Sequence, residues 1–264
     1  MGRITLDEKH STVSLDDGQK TVKLVTLADD QFDRFNPAAL DLGDISQPST
    51  QVEALAAMFD LSGFTTFCSQ VDPHLAVPEY LSRFLNWLFD EIRKGLLRES
   101  KEDEKVLWAS LPFLAKFTGD GVLFLWDTKN MGGAEICNVV TSLWEICANY
   151  VATFHPIIKR LVVHPPSVLR CGMSRGMVFS VGNGEDYVGP CINIAARLQK
   201  LSLLTFCLSR RGFDVEKHMP EETAAKYVLR AAPLRGIGED ELVWVRKEEF
   251  DNLQEEERAL FIIP

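Results

Sequence analysis

Leu114-Ala115-Lys116-Phe117-Thr118, then Gly119-Asp120-Gly121, then Val122-Leu123-Phe124-Leu125-Trp126: two apolar runs of strand length flank a tight turn. This pattern predicts an antiparallel hairpin. Upstream, Ala54-Leu55-Ala56-Ala57-Met58-Phe59 is a continuous apolar run, as a buried strand would be, and it ends at Asp60-Leu61-Ser62-Gly63-Phe64-Thr65, where Gly63 supplies a turn. Between that strand and the hairpin, Val77, Tyr80, Leu81, Phe84, Leu85, Leu88 and Ile92 recur at steps of three and four, the stripe of an amphipathic helix. Downstream, Ile136, Val139, Val140, Leu143, Ile146, Cys147, Tyr150 and Phe154 mark a second helix, expected to end near His155-Pro156. Residues 170–181 read as two short strands around a turn, residues 191–198 as a helix, and Glu241-Leu242-Val243-Trp244-Val245 as a last strand. Strand, helix, strand, strand, helix, strand predicts an α+β fold: a ferredoxin-like βαββαβ core with appended strands and helices.

Around this core, spanning 52–249, residues 1–51 read as an N-terminal extension packed on it. Turn-formers stand at Asp16-Asp17-Gly18, Asn36-Pro37 and Gln47-Pro48, and only residues 21–25 alternate like a strand. The polar residues 98–105 predict a solvated loop or helix end within an insertion over 98–110. Residues 250–264 form a tail whose apolar end, Ala259-Leu260-Phe261-Ile262-Ile263-Pro264, is expected to dock on its own chain.

Of 264 residues, 46% are hydrophobic and 25% charged, as in an ordinary globular protein. Twenty-eight Lys and Arg against 38 Asp and Glu give a net charge of −10, which disfavours nucleic acid and anionic membrane as partners. No run of 18 apolar residues offers a membrane span, and Met1-Gly2-Arg3-Ile4-Thr5-Leu6 lacks a signal-peptide core. Six scattered cysteines without a C-x-x-C pair read as reduced core residues, so a cytoplasmic location is expected.

Two carboxylates carry the first chemical signal. Asp60 follows a buried strand and Asp120 sits in the hairpin turn of a neighbouring strand, so the two would repel unless a cation lay between them. Hard oxygen ligands suit Mg²⁺ or Mn²⁺, which bind through one or two carboxylates plus substrate phosphates. Both could equally be plain turn residues. Gly63-Phe64-Thr65 opens a helix and presents free backbone N–H groups to an anion. Asn193 and Arg197, four apart, share one helix face: Arg offers a fork of donors to a phosphoryl oxygen and Asn can orient a ribose, or they are an exposed Arg and a cap. Lys116, inside an apolar strand, should meet a carboxylate, a ligand or an interface.

Met58-Phe59-Asp60-Leu61-Ser62-Gly63-Phe64-Thr65, Lys116-Phe117-Thr118-Gly119-Asp120-Gly121 and Gly189-Pro190-Cys191-Ile192-Asn193-Ile194-Ala195-Ala196-Arg197-Leu198 together resemble the catalytic domain of class III nucleotidyl cyclases, over about residues 52–245. Arg235-Gly236-Ile237-Gly238 resembles that family's closing basic turn. The resemblance implies that Asp60, Asp120 and the Leu61 carbonyl hold two Mn²⁺ or Mg²⁺ ions per site. It implies further that Phe64, Thr65 and Arg235 bind substrate, that Asn193 orients the ribose, and that Arg197 stabilises charge on the α-phosphate. It also implies a head-to-tail homodimer, with metal ligands from one chain and Asn193, Arg197 and base-reading residues from the other.

By the same resemblance Lys116 and Asp186 read the base, a combination found in adenylate cyclases, while Tyr187 and the short loop over 181–187 narrow the pocket towards a pyrimidine. The N-terminal extension and the insertion resemble the stand-alone pyrimidine cyclases of bacterial anti-phage (Pycsar) systems. UTP is then the expected substrate, cyclic UMP the product, and a separate cyclic-nucleotide-activated effector the reader. An adenylate cyclase and a catalytically silent sensor module are the alternatives.

Overall fold

A computed structural model describes residues 7–15, 20–34, 36–201 and 203–264. It divides into two units, one formed by residues 1–50 with 180–187 and the other by 51–179 with 188–264. In the smaller unit, β1 (Lys9–Leu15) and β2 (Lys20–Thr26) pair antiparallel, with Lys9 opposite Thr26. The second of these covers the strand read at 21–25, and the first is a strand that the patterning did not reveal. The turn read at Asp16-Asp17-Gly18, and residues 1–6, lie outside the described residues. Ser49 Oγ donates to the Ser180 carbonyl at 2.7 Å, and the Thr50 N–H donates to Ser180 Oγ at 2.9 Å.

The larger unit is built on β3 (Gln51–Ser62), β4 (Leu97–Ser100), β5 (Lys105–Leu107), β6 (Leu114–Phe117), β7 (Gly121–Asp127), β8 (Val168–Val181, whose last two residues belong to the smaller unit), β10 (Phe206–Ser209), β11 (Tyr227–Leu234) and β12 (Gly238–Arg246), while the short β9 (Asp186–Val188) begins in the smaller unit. Its helices include α1 (Phe64–Phe67), α2 (Pro73–Leu96), α3 (Gly133–Asn149) and α4 (Pro190–Leu198). The main sheet runs β11-β12-β10-β8-β3-β7-β6, and β9 pairs with β8. All pairs along that row are antiparallel except β10 with β8. Among β3, β6, β7 and β8 the spatial order is fourth, first, third, second, the arrangement of a ferredoxin-like βαββαβ core.

From Ala54 to Leu61 every residue of β3 is buried, because both faces of the sheet are covered. Leu55, Ala57, Phe59 and Leu61 join the core under α2 and α3, with Tyr80, Phe84, Leu88, Leu143 and Tyr150. Alternation turns Ala54, Ala56, Met58 and Asp60 to the other face, where α4 packs. The second core holds Ile194 and Leu198 of α4 with Ala232, Val243, Val245, Phe250 and Phe261. Phe261 and the bridge between Ala231 and Ile262 dock the tail on its own chain, as expected.

Three expectations are corrected. Residues 170–181 are not two strands around a turn but part of one strand, paired with β3 without a break from Gln51 opposite Phe179 to Ser62 opposite Val168. Its glycines serve tertiary contact: a Cβ at Gly172 would lie 2.2 Å from the Ala195 carbonyl oxygen and 2.4 Å from the Gln199 nitrogen. The second helix does not stop at His155-Pro156. A π-helical turn over Tyr150–Phe154 re-spaces the backbone and leads directly into a further helical turn, His155–Ile158, which contains Pro156. The polar residues 98–105 are exposed, as expected, but belong to a small hairpin, with Leu97 opposite Leu107, rather than to a plain loop or helix end. No helix among the described residues is long and apolar enough to cross a membrane.

Candidate active site

Asp60 lies near the C-terminal end of β3, 8% exposed, opposite Gly121 of β7 on one side and Arg170 of β8 on the other. The Thr118 N–H donates to the Gly121 carbonyl at 2.9 Å and closes the hairpin turn that carries Asp120. The Leu61 N–H donates to the Asp120 carbonyl, also at 2.9 Å, which ties the turn to β3. Only glycine fits at 121, since a Cβ there would stand 1.8 Å from the Phe59 carbonyl oxygen. Backbone pairing thus brings two carboxylates together.

Burial pushes the Asp60 carboxyl above its ordinary pKa of 3.8; Lys200 and Arg170 pull the other way, while Asp120 adds to the rise by like charge and a side-chain hydrogen bond. Lys200 Nζ stands 3.8 Å from Asp60 Oδ1. A cleft of about 400 Å³ opens here, lined by Asp60, Leu61, Phe64, Thr65, Asp120, Arg170 and Lys200. Gly63, φ 87°, caps α1, a single turn.

On α4 the buried residues Cys191, Ile194, Ala195 and Leu198 face the sheet, which leaves Asn193 and Arg197 exposed on the outer face. The close approach at Gly172 holds this helix on β8. Asn193, Arg197 and Lys200 line a second cleft, of about 480 Å³, with Met58, Asp120 and Arg235. Arg235 stands in the turn between β11 and β12. Asp120 and Lys200 border both clefts.

Of the residues singled out in the sequence, Asp60, Leu61, Phe64, Thr65, Asp120, Asn193, Arg197 and Arg235 line these adjoining clefts. Lys116 does not. It is exposed on β6, the edge strand, so no burial cost attaches to it. Asp186 and Tyr187 stand on β9 in the smaller unit, where Asp186 Oδ1 accepts the Tyr187 N–H at 2.8 Å. Lys200 and Arg170 escaped the sequence reading. Lys200 follows Arg197 by three residues, a spacing that could have flagged it; Arg170 becomes visible only from its register against Asp60.

The donor set suits a hard divalent cation. A desolvated carboxylate beside a second one draws positive charge, part of which Lys200 and Arg170 supply, and Leu61 lines the same cleft. Among the described residues no group of three or more His, Cys, Asp and Glu is placed to bind a metal. Remaining positions would fall to water and phosphate oxygens, as Mg²⁺ prefers.

No family model matches the sequence, and no curated protein does. Solved structures do match. The adenylyl cyclase CyaB from P. aeruginosa superposes with a TM-score of 0.54 at 14% identity, covering 76% of this chain and 96% of that one. For the guanylyl cyclase Cya2 the values are 0.53 and 16%, over 76% and 94%. For the catalytic core of a rhodopsin-guanylyl cyclase with converted specificity, in complex with ATPalphaS, they are 0.51 and 19%, over 75% and 99%. The chain therefore has the α+β fold seen in adenylyl and guanylyl cyclases.

Proposed function

We propose that the chain is a divalent-cation-dependent nucleotide cyclase that converts a ribonucleoside triphosphate, UTP, to its 3′,5′-cyclic monophosphate and pyrophosphate. The observation that carries this is the buried Asp60 beside Asp120, bordered by a cleft lined with Asn193, Arg197 and Arg235, in a fold shared with cyclases.

Divalent cations held by Asp60, Asp120 and the Leu61 carbonyl would supply the charge that offsets the triphosphate and eases loss of the 3′-hydroxyl proton. The chain's own residues do the rest. Asn193 hydrogen-bonds the ribose and aims its 3′-oxygen at the α-phosphorus. As that P–O bond forms, the bond to the β-phosphate oxygen breaks, its electron pair leaves with pyrophosphate, and the 3′-proton passes to solvent. The Arg197 guanidinium meets charge growing on the α-phosphate, where a fixed cation in a partly enclosed cleft is worth most. Arg235 and the backbone N–H groups of Phe64 and Thr65 hold the polyphosphate. The site is assembled in a head-to-tail homodimer.

The base assignment rests on the family resemblance and on hydrogen-bond chemistry. Lys116 donates and ionised Asp186 only accepts, so the pair matches O4 and N3–H of uracil. It also matches adenine, and the bulk of Tyr187 favours the smaller ring. Signalling to a separate effector in anti-phage defence rests on the architectural resemblance alone. The test is incubation of the protein with each of the four ribonucleoside triphosphates and Mn²⁺, with products identified by mass spectrometry. Cyclic UMP is expected, with a gain of purine turnover in Tyr187→Ala. Preferential cyclic AMP would replace the uridylate assignment by adenylate, and absence of any cyclic product would overturn the enzyme reading in favour of a silent nucleotide sensor.

A further inference from the structure

We infer that Lys200 is a resident counter-ion of Asp60 which a divalent cation must displace, so that Lys200 sets the cation concentration at which the site loads. This rests on the metal reading of Asp60 and Asp120. Lys200 lies just past α4, its N–H donating to the Arg197 carbonyl at 3.1 Å, and the contact of Gly172 with Ala195 and Gln199 fixes this end of the helix against the sheet. From there Nζ reaches to 3.8 Å from Asp60 Oδ1. The two partners differ in exposure: the Asp60 side chain is 12% accessible and the Lys200 side chain 60%. A buried carboxylate is held in place by its strand, whereas a long exposed lysine exchanges its position at little cost.

A dication entering between Asp60 and Asp120 meets the ammonium as a like charge in the same space, and one of them must leave. Lys200 is the mobile partner, and it has somewhere to go. Its side chain also borders the second cleft, where Arg197 and Arg235 already gather positive charge.

The test is Mn²⁺ binding to the nucleotide-free full chain, followed by electron paramagnetic resonance of the free ion. Lys200→Met keeps the length and removes the charge, and should tighten Mn²⁺ roughly two- to fivefold, the range expected for an exposed ion pair. Lys200→Arg keeps the charge and should leave the affinity near that of the wild type. Asp60→Asn should abolish the site. If Asp60→Asn abolishes binding but Lys200→Met leaves it unchanged or weaker, the counter-ion role is wrong and the metal site stands. If the wild type binds no Mn²⁺ that Asp60→Asn removes, the metal reading falls and this inference with it.

Discussion

The Leu61 N–H donates to the Asp120 carbonyl at 2.9 Å, so the turn of the β6–β7 hairpin is bonded to the strand that carries Asp60. The two carboxylates owe their proximity to backbone geometry rather than to flexible side chains. A site built this way is preorganised, and removing either carboxylate removes a ligand that no other side chain among the described residues is placed to replace. Asp60→Ala and Asp120→Ala should each abolish cyclase activity, by on the order of a hundredfold or more, which is about 3 kcal/mol in the transition state. Circular dichroism should show an intact fold. Near wild-type turnover in either variant would remove the two carboxylates from the mechanism.

Asp60 also makes a prediction about stability. Burial is the largest cause that raises its pKa, so its protonated form is the one that folding favours. The stability that this group lends is present below the unfolded value of 3.8 and is lost as the pH rises through the higher folded value. At pH 7 the cation-free protein therefore carries the cost of a desolvated charge. In EDTA, Asp60→Asn should melt above the wild type at pH 7, by about 2–4 °C for each kcal/mol recovered. The gap should narrow as the pH is lowered towards the unfolded value of 3.8. A variant that melts lower than the wild type at pH 7 would mean that attraction to Lys200 and Arg170 outweighs burial.

The joining of α4 to the sheet depends on the missing side chain at Gly172. A Cβ there would meet backbone atoms of α4 at 2.2 and 2.4 Å, and backbone cannot yield as a flexible side chain can. Gly172→Ala must lift the helix end, and with it Asn193, Arg197 and Lys200, away from Asp60 and Asp120. Overpacking of this kind costs about 1–3 kcal/mol in denaturant unfolding. Activity should fall by more than stability explains, because Asn193 and Arg197 are carried together out of the positions that the packed helix gives them. Full activity in a folded Gly172→Ala protein would show that the registry of α4 on β8 is not needed.

That same glycine marks the limit of what the amino-acid pattern discloses. The β6–β7 hairpin, β3 and the two long helices were legible because each carries its own period: turn residues between apolar runs, or apolar steps of three and four. Residues 170–181 read as two strands around a turn, whereas Gly172 and Gly176 within them serve the approach of a helix distant in sequence. Lys116 looked costly in an apolar strand because nothing local says that β6 is an edge. Asp60 and Asp120 stood out because both end apolar strands. Lys200 did not, since a lysine after a helix is the ordinary solvated residue, and its place beside Asp60 is a product of tertiary packing.

The clefts also bear on which chains make one site. The family resemblance implies that Asp60 and Asp120 of one protomer meet Asn193 and Arg197 of its partner, yet in a single chain both sets border adjoining clefts that share Asp120 and Lys200. Asn193 and Arg197 are exposed on the outer face of α4, where a partner can reach them. In a head-to-tail dimer of Asp60→Ala with Arg197→Ala, one site contains both lesions and the other contains neither. Random exchange makes half the dimers mixed, so an equimolar mixture of the two dead proteins should recover about a quarter of wild-type activity. The measurement is cyclic nucleotide formation after mixing, with exchange verified by differently tagged chains. Exchange without recovery would assign all four residues to one chain's own site, since every mixed dimer would then carry a lesion in each.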